Sequence, residues 1–513
     1  MTLATRTRVR SLHRIAADHT EWWIAAATAV ISIVALIYVH HRGNIVGYGD
    51  AASHLQIARR VLDSPTSGFA QLGSVWLPLQ HLLMLPFVWY SPLFYSGIAG
   101  SVVSMASYIL ACVYLYRIVH GLTNGNRVAA VAGVLVFALN PNIVYMQSVP
   151  MAELLFFATT AATLFYLQAW IQTERKAYLF AAAFACAFGV LTRYESWLMT
   201  MLGFTVIVLI VALKRYDRTK TEGSVLGFIF IAWAPVIGWL GWNWLIMGHP
   251  MYFQMGEYAM SALWVDPNDP SVGDLLTAVK TYWYAVVHNL GLPIVVAMLV
   301  GLGAILARRR RLDSLPVLSL AALPVFFTWA VYSGTRPMNV TETSGYLYNL
   351  RFGLVVALLA AVAIGYLVST LPSPARLPSA VATAVLAVAV ATGGVITVAE
   401  TQTGVARAVT DGRSEVSAFL REHYDGGLIL QESFDNETVL FHAKIPLRNH
   451  IYEGSYRLWE PALAFPAANH IKWIVMRGGR KPDKVHQALS GSERLEGYRL
   501  VYRNDEYFVY SRG

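Results

Sequence analysis

Charge is what this sequence has least of. Of its 513 residues only 13% are Asp, Glu, Lys or Arg, about half the roughly 25% of a soluble domain. With 56% hydrophobic residues and a mean hydropathy of +0.48, that deficit excludes water as the main solvent and points to lipid. Cysteine is nearly absent. Cys112 and Cys186 are the whole complement, both inside apolar stretches, so a disulfide scaffold and a cysteine-based metal site are not expected. No Walker A loop, GxSxG elbow, HExxH or EF-hand pattern occurs, which argues against nucleotide hydrolysis by this chain. Internal repeats and low-complexity segments are missing too. The net charge of +9 is no sign of nucleic acid, because the basic residues cluster in short segments between apolar runs, where they set topology.

What is present is a series of apolar runs long enough to cross a bilayer core of about 30 Å. The reading is a polytopic α-helical membrane protein of about eleven spans, in the plasma membrane. The runs fall at 22–39, 95–117, 127–145, 151–172, 177–193, 196–213, 224–246, 290–307, 315–332, 352–370 and 379–398. The first is too long for a signal peptide and lacks a small-residue cleavage site. Arg6, Arg8, Arg10 and Arg14 precede it, which predicts a cytoplasmic N-terminus. Every second connection is then basic: Arg117 with Arg127, Arg175 with Lys176, Lys214 and Arg215 with Arg218 and Lys220, Arg308 to Arg311, and the lone Arg376. The alternate connections are less basic, and an odd number of spans puts the C-terminus outside.

Three outer segments exceed simple turns, at 41–91, 247–289 and 333–351, and long connections tend to carry function. Within the first, Ala51, Leu55, Ala58 and Leu62 fall at helical spacing, with Gln56, Arg59, Arg60 and Asp63 on other faces. That pattern predicts a helix in the membrane interface, apolar side down. A second interfacial piece is expected at 76–90, which is aromatic and broken by Pro78 and Pro86. After Val398 the composition changes. A transmembrane domain at 1–398 is therefore followed by a small α/β extracytoplasmic domain at 399–513. Helices are expected at 414–423 and 484–489, strands at 428–431 and 473–476, and a hairpin around Asn504-Asp505.

Several charged residues stand where hydrocarbon should exclude them. Asp50 lies just past the first span and could take a proton from an attacking hydroxyl, although an Asp there also suits a helix N-cap. His54, four residues on, shares its face. The pair could hold a divalent metal, or His54 could orient the carboxylate; the sequence requires no cofactor. Glu153 opens a span at the same outer level, where a helix-start acid is the plainer reading and a cavity-facing carboxylate the functional one. Arg193, Glu195 and Arg351 interrupt apolar runs on that side. An outer arginine runs against the topology bias, and bidentate phosphate binding is one reason for it. Snorkelling, or pairing with Glu195 or Glu342, is the other. Arg336 and Lys280 are weaker phosphate candidates, and Tyr48 and Tyr348 flank the candidate pocket. In the C-terminal domain Tyr452, Tyr456, Trp459, Trp473 and Tyr510 could stack on sugar rings or pack its core. That domain is expected to guide the acceptor without contributing catalytic groups.

The run Gly49-Asp50-Ala51-Ala52-Ser53-His54-Leu55-Gln56-Ile57-Ala58-Arg59-Arg60 resembles the acidic motif of the GT-C type membrane glycosyltransferases. The nearest groups are the protein O-mannosyltransferases and the bacterial transferases that decorate lipid A with aminoarabinose. Glu153 falls where that family has its second acidic position, and Tyr348–Phe352 resembles its late Tyr/Arg-Phe/Tyr motif. Many members carry a second acid directly after the first, where this chain has Ala51. The resemblance implies the GT-C fold, a polyprenyl-phosphate sugar as donor, inversion at the anomeric carbon, Asp50 as base, and an arginine on the lipid phosphate. The acceptor would be a glycan, lipid or protein hydroxyl. The competing class is a secondary transporter or flippase, which should show charges at mid-depth and matching halves; neither is evident. A non-catalytic scaffold is the third reading.

Overall fold

In the computed structural model the described residues are 19–260, 263, 265, 266, 268–307, 312–479 and 481–513. The basic residues Arg6, Arg8, Arg10 and Arg14 and the run Arg308 to Arg311 lie outside them. The chain divides into two compact units. One comprises Met1–His41, Val103–Ser148 and Ala152–Glu400; the other comprises Arg42–Val102, Val149–Met151 and Thr401–Gly513.

Among the described residues eight helices are long and apolar enough to cross a membrane. A ninth is counted if Leu275–Leu290 and Leu292–Ala307, bent by 104° at their junction, form one span. All the apolar runs of the sequence are helical, and the difference from about eleven spans is one of length. Arg127–Ala138 has 12 residues and Lys176–Val190 has 15. At 1.5 Å per residue they extend about 18 and 22 Å, short of a hydrocarbon core of about 30 Å.

The breaks have local causes. The run at 127–145 stops at Asn140, whose side chain accepts from the amides of Asn142 and Ile143 and starts a new helix with Pro141 in its first turn. The 104° bend falls at Gly291, where φ is +79°. Asn140 and Asn142 donate to the Asn289 carbonyl just before it, at 2.8 and 3.1 Å. The Asn289 amide in turn donates to the carbonyl of Leu350 at 2.7 Å. Carbonyls at the bend are thus satisfied inside the protein, the condition for interrupting a helix at membrane depth.

Two spans are the most enclosed, Glu153–Thr173 and Leu350–Thr370, each with 89% of its apolar window buried, against 28% for His19–His41. Small residues allow this. A Cβ on Gly301 would stand 2.2 Å from the Ala363 carbonyl oxygen, so only glycine permits that helix approach.

The second unit contains a five-stranded sheet of β1 (Leu428–Leu430), β2 (His450–Ile451), β3 (Ile471–Arg477), β4 (Arg499–Arg503) and β5 (Tyr507–Ser511). The order is β2-β1-β3-β5-β4, with β2, β1 and β3 parallel and β5 antiparallel to both neighbours. Alternation along β3 separates two cores. Trp473 and Val475 pack with Val416, Leu420 and Val439 on one face, and Ile474 and Met476 with Val485 and Leu489 on the other. The β4–β5 turn is held by Asn504, whose side-chain oxygen accepts from the amides of Glu506 and Tyr507.

The expected helix after the first span runs from Gly49 to Arg60, and it is enclosed on both faces. Gln56, Arg59 and Arg60, assigned to water by their pattern, are 1%, 8% and 6% exposed, whereas Leu62 is 48% exposed. Arg59 is enclosed by residues 63–94, bonding Asp63 and the Trp89 carbonyl, while the C-terminal segment covers Gln56 and Arg60. Gln56 donates to the Glu437 carbonyl at 2.7 Å, and Arg60 donates to Ser433 at 2.8 Å with its guanidinium over the Tyr452 ring.

Candidate functional site

Two clusters of polar side chains stand out, one in each unit. In the helical unit the chain turns between Lys176–Val190 and Glu195–Leu213, and the Thr192 and Arg193 amides both return to the Gly189 carbonyl. That turn delivers Arg193 and Glu195 side by side. Arg193 grips Glu195 with Nη2 at 3.0 Å and Nε at 3.2 Å, and reaches Glu153 with Nη1 at 2.7 Å. Glu153 opens its helix, where the N-terminal dipole favours an acid. The same Oε1 accepts from Arg351 Nε at 3.1 Å, and Arg351 Nη1 lies 3.8 Å from Glu400. The Glu153 and Glu195 side chains are 2% exposed, those of Arg351 and Arg193 8% and 14%. Glu153 Oε2 has no hydrogen-bond partner. Both guanidinia lie 5.4 Å from the Phe352 ring centroid.

Local structure sets Arg351 in place. Asn339 and Tyr348 exchange backbone hydrogen bonds of 2.9 and 3.0 Å, and Asn349 takes a left-handed turn at φ +55° with its amide on the Pro337 carbonyl. The 3₁₀ turn Leu350–Val355 follows, fastened by Asn289. Tyr348 is half-buried. Of the weaker phosphate candidates, Arg336 lies in the electrostatic field of Glu195. Lys280 is exposed on the Leu275–Leu290 helix, so the structure does not draw it into this cluster. Glu342 bonds His288 at 2.7 Å. The pairing reading of Arg193 with Glu195 holds, and the carboxylates on Arg351 are Glu153 and Glu400.

In the second unit Asp50 sits in the first turn of Gly49–Arg60, but the N-cap is Tyr48, buried and without a capping side chain. The capping role is therefore not Asp50's, because the helix begins two residues earlier than an Asp cap requires. His54 is buried. Its Nδ1 lies 2.8 Å from His81 Nε2, and its ring packs 4.3 Å from that of Trp76. Burial holds the His81 imidazole well below its usual pKa, with His54 adding to the effect. Among the described residues no group of three or more His, Cys, Asp or Glu side chains is arranged to hold a metal.

The aromatics of the C-terminal segment turn inward. Trp459, Trp473 and Tyr452 are buried, Tyr510 packs on the core, and the Tyr456 hydroxyl binds the Ala70 carbonyl. Two acids escaped the sequence reading. Glu400 closes the Arg351 cluster, and Glu437 opens the helix Glu437–Ala443 that packs on Gly49–Arg60. Burial pushes the Glu437 carboxyl up to about 8; Asp435 and Asp50 add to the rise, and Arg413 opposes it. The one sequence signal for Glu437 was its place at the start of a short apolar run.

The two most enclosed spans begin at Glu153 and at Leu350, next to Arg351, and a small C-terminal sheet follows the last of the apolar helices. Residues 94–242 match the family model described as dolichyl-phosphate-mannose-protein mannosyltransferase. No curated protein matches the chain in sequence. Two similar solved structures are of ArnT from Cupriavidus metallidurans. The one bound to undecaprenyl phosphate superposes with a TM-score of 0.57 at 14% identity, covering 93% of this chain and 97% of that one. The apo state gives 0.53 at 13% identity, with the same coverage of 93% and 97%. The resemblance to the GT-C glycosyltransferases thus holds at two levels, segment sequence and whole-chain fold.

Proposed function

We propose that this protein moves a single sugar from a polyprenyl-phosphate donor to an acceptor hydroxyl at the outer face of the membrane, with inversion. Asp50 removes the acceptor proton as the new glycosidic bond forms. The bond from the anomeric carbon to phosphate breaks, and the polyprenyl phosphate leaves with the electron pair. Arg351 and Arg193 stabilise the charge gathering on that leaving group. Glu153 and Glu195 hold the two guanidinia in fixed planes, so little ordering remains when phosphate arrives.

The observation that carries this reading is the buried cluster of Glu153, Arg193, Glu195, Arg351 and Glu400, two of which stand at the starts of the most enclosed spans. Charges in such a place are costly and are kept for function. The polyprenyl donor has the support of the similar ArnT structure, which holds undecaprenyl phosphate. The N-terminus is placed in the cytoplasm and the domain at 399–513 outside by the positive-inside pattern. The acceptor is a glycan, lipid or protein hydroxyl.

The test is mass spectrometry of envelope glycans and lipids from cells with the protein, without it, and with Asp50→Asn. One sugar should vanish in the last two. Intact glycans with a collapsed solute gradient would assign the protein to transport. With undecaprenyl phosphate as probe, Arg351→Ala should weaken binding about tenfold or more, and Asp50→Asn should leave it unchanged.

A further inference from the structure

The C-terminal segment does more than cover the helix that bears Asp50. Gln56 and Arg60, one turn apart on that helix, grip the Glu437 carbonyl and the Ser433 hydroxyl at 2.7 and 2.8 Å. These two bonds fix the start of Glu437–Ala443 against Gly49–Arg60. Asp50 and Glu437 each stand in the first turn of their helix, and they interact electrostatically. Among the described residues the Glu437 carboxyl makes no ion pair and no hydrogen bond to another side chain, although the backbone around it is fastened.

We propose that Glu437 is an acceptor-binding residue of the transfer site, placed beside Asp50 by the C-terminal segment to hold a second oxygen of the acceptor. The proposal rests on the reading of Asp50 as base. The pair divides the work by protonation. A carboxyl raised to about 8 carries its proton at neutral pH and donates a hydrogen bond, while Asp50 accepts the proton of the attacking hydroxyl. Asp435 and Asp50 oppose ionisation of Glu437, and Arg413 favours it; Arg477 acts indirectly, through its ion pair with Asp435. An acid–base pair of this kind suits an acceptor with an oxygen next to the attacking hydroxyl, as sugars and polyols have and a lone serine side chain lacks. Glu437 keeps its own proton throughout the transfer.

Membranes from a strain lacking the protein contain donor and acceptor together, and serve as the substrate for purified enzyme. Glu437→Ala should raise the amount of membrane needed for half-maximal rate about tenfold, the worth of one hydrogen bond to the acceptor. Its binding of undecaprenyl phosphate should stay unchanged. Glu437→Gln can still donate and has no proton to lose, so it should saturate like the parent at pH 7. As pH rises through about 8 the parent should lose apparent affinity, and Glu437→Gln should not. An unaltered saturation curve for Glu437→Ala overturns the proposal, as does an alkaline loss in Glu437→Gln equal to that of the parent. Should Glu437→Ala fail to fold, the pH comparison alone decides. Retained transfer in Asp50→Asn would sink the base reading instead, a separate outcome.

Discussion

In the helical unit the buried carboxylates are held by arginines, whereas in the unit that carries Asp50 the Glu437 carboxyl makes no ion pair among the described residues. Arg193 and Arg351 share one oxygen of Glu153, with Glu195 and Glu400 at the flanks. Each charge there has an opposite neighbour, so the cluster is set before any ligand arrives. In the second unit Asp50 and Glu437 interact electrostatically, and Gln56 and Arg60 bond a carbonyl and a hydroxyl at the start of the Glu437 helix. Opposed charges fix geometry, while like charges separate protonation states. On the proposed function, the first region would meet the donor phosphate and the second would handle the acceptor proton.

The largest expected effect falls on Asp50. Asp50→Asn should lower sugar transfer by about 10²–10⁴-fold, the usual contribution of a general base, with no change in the thermal midpoint of the purified protein. Glu153→Ala should act the other way round. It removes the oxygen that both guanidinia share, leaving Arg193 with Glu195 and Arg351 with Glu400 at 3.8 Å, and breaking a buried pair costs about 3–5 kcal/mol. The midpoint should fall sharply. If Glu153→Ala were thermally silent and Asp50→Asn unstable, the contrast between the regions would be broken.

Smaller changes sharpen it. Gly301→Val adds volume against the Ala363 carbonyl, far in sequence from either cluster, and overpacking of this kind costs about 1–3 kcal/mol. Stability should drop while the pH dependence of transfer is preserved. Glu437→Gln should have the smallest effect at low pH, and one that grows as pH rises. Its folded-state carboxyl is raised above the unfolded value, so its contribution to stability is complete below about pH 4.3 and is lost as pH climbs through about 8. Melting curves of parent and Glu437→Gln should differ little at pH 4 and diverge at pH 9, with the variant the more stable.

The helices and strands were legible because local rules governed them. Apolar runs became helices, and Asn504-Asp505 turned the hairpin as its residue types demand. The ends of some spans were not legible from apolarity, although Asn140-Pro141 and Gly291-Leu292-Pro293 were punctuation marks in plain view. Charge in an apolar setting singled out Glu153, Arg193, Glu195 and Arg351, which the structure brings together. Their partnership was hidden, since Glu153 and Arg351 meet across 198 positions. Glu400 was missed because it stands just past the last apolar run, and Glu437 because it lies where charged residues are common in sequence; only packing distinguishes either. The outward assignment of Gln56 and Arg60 failed because an amphipathic pattern shows that a face is polar, not what meets it.

The bond from Gln56 to Glu437 links positions 381 residues apart. At about 5–20 residues per second of synthesis, the helix carrying Asp50 leaves the ribosome roughly 20–80 seconds before its partner exists. Until then its buried polar side chains lack their mates. A chain halted between residues 404 and 432 would hold every candidate span yet leave Gln56 and Arg60 without their partners. On the proposed function, completion of the last segment is the step that finishes the transfer site, and an unfinished copy in the bilayer would be an idle one.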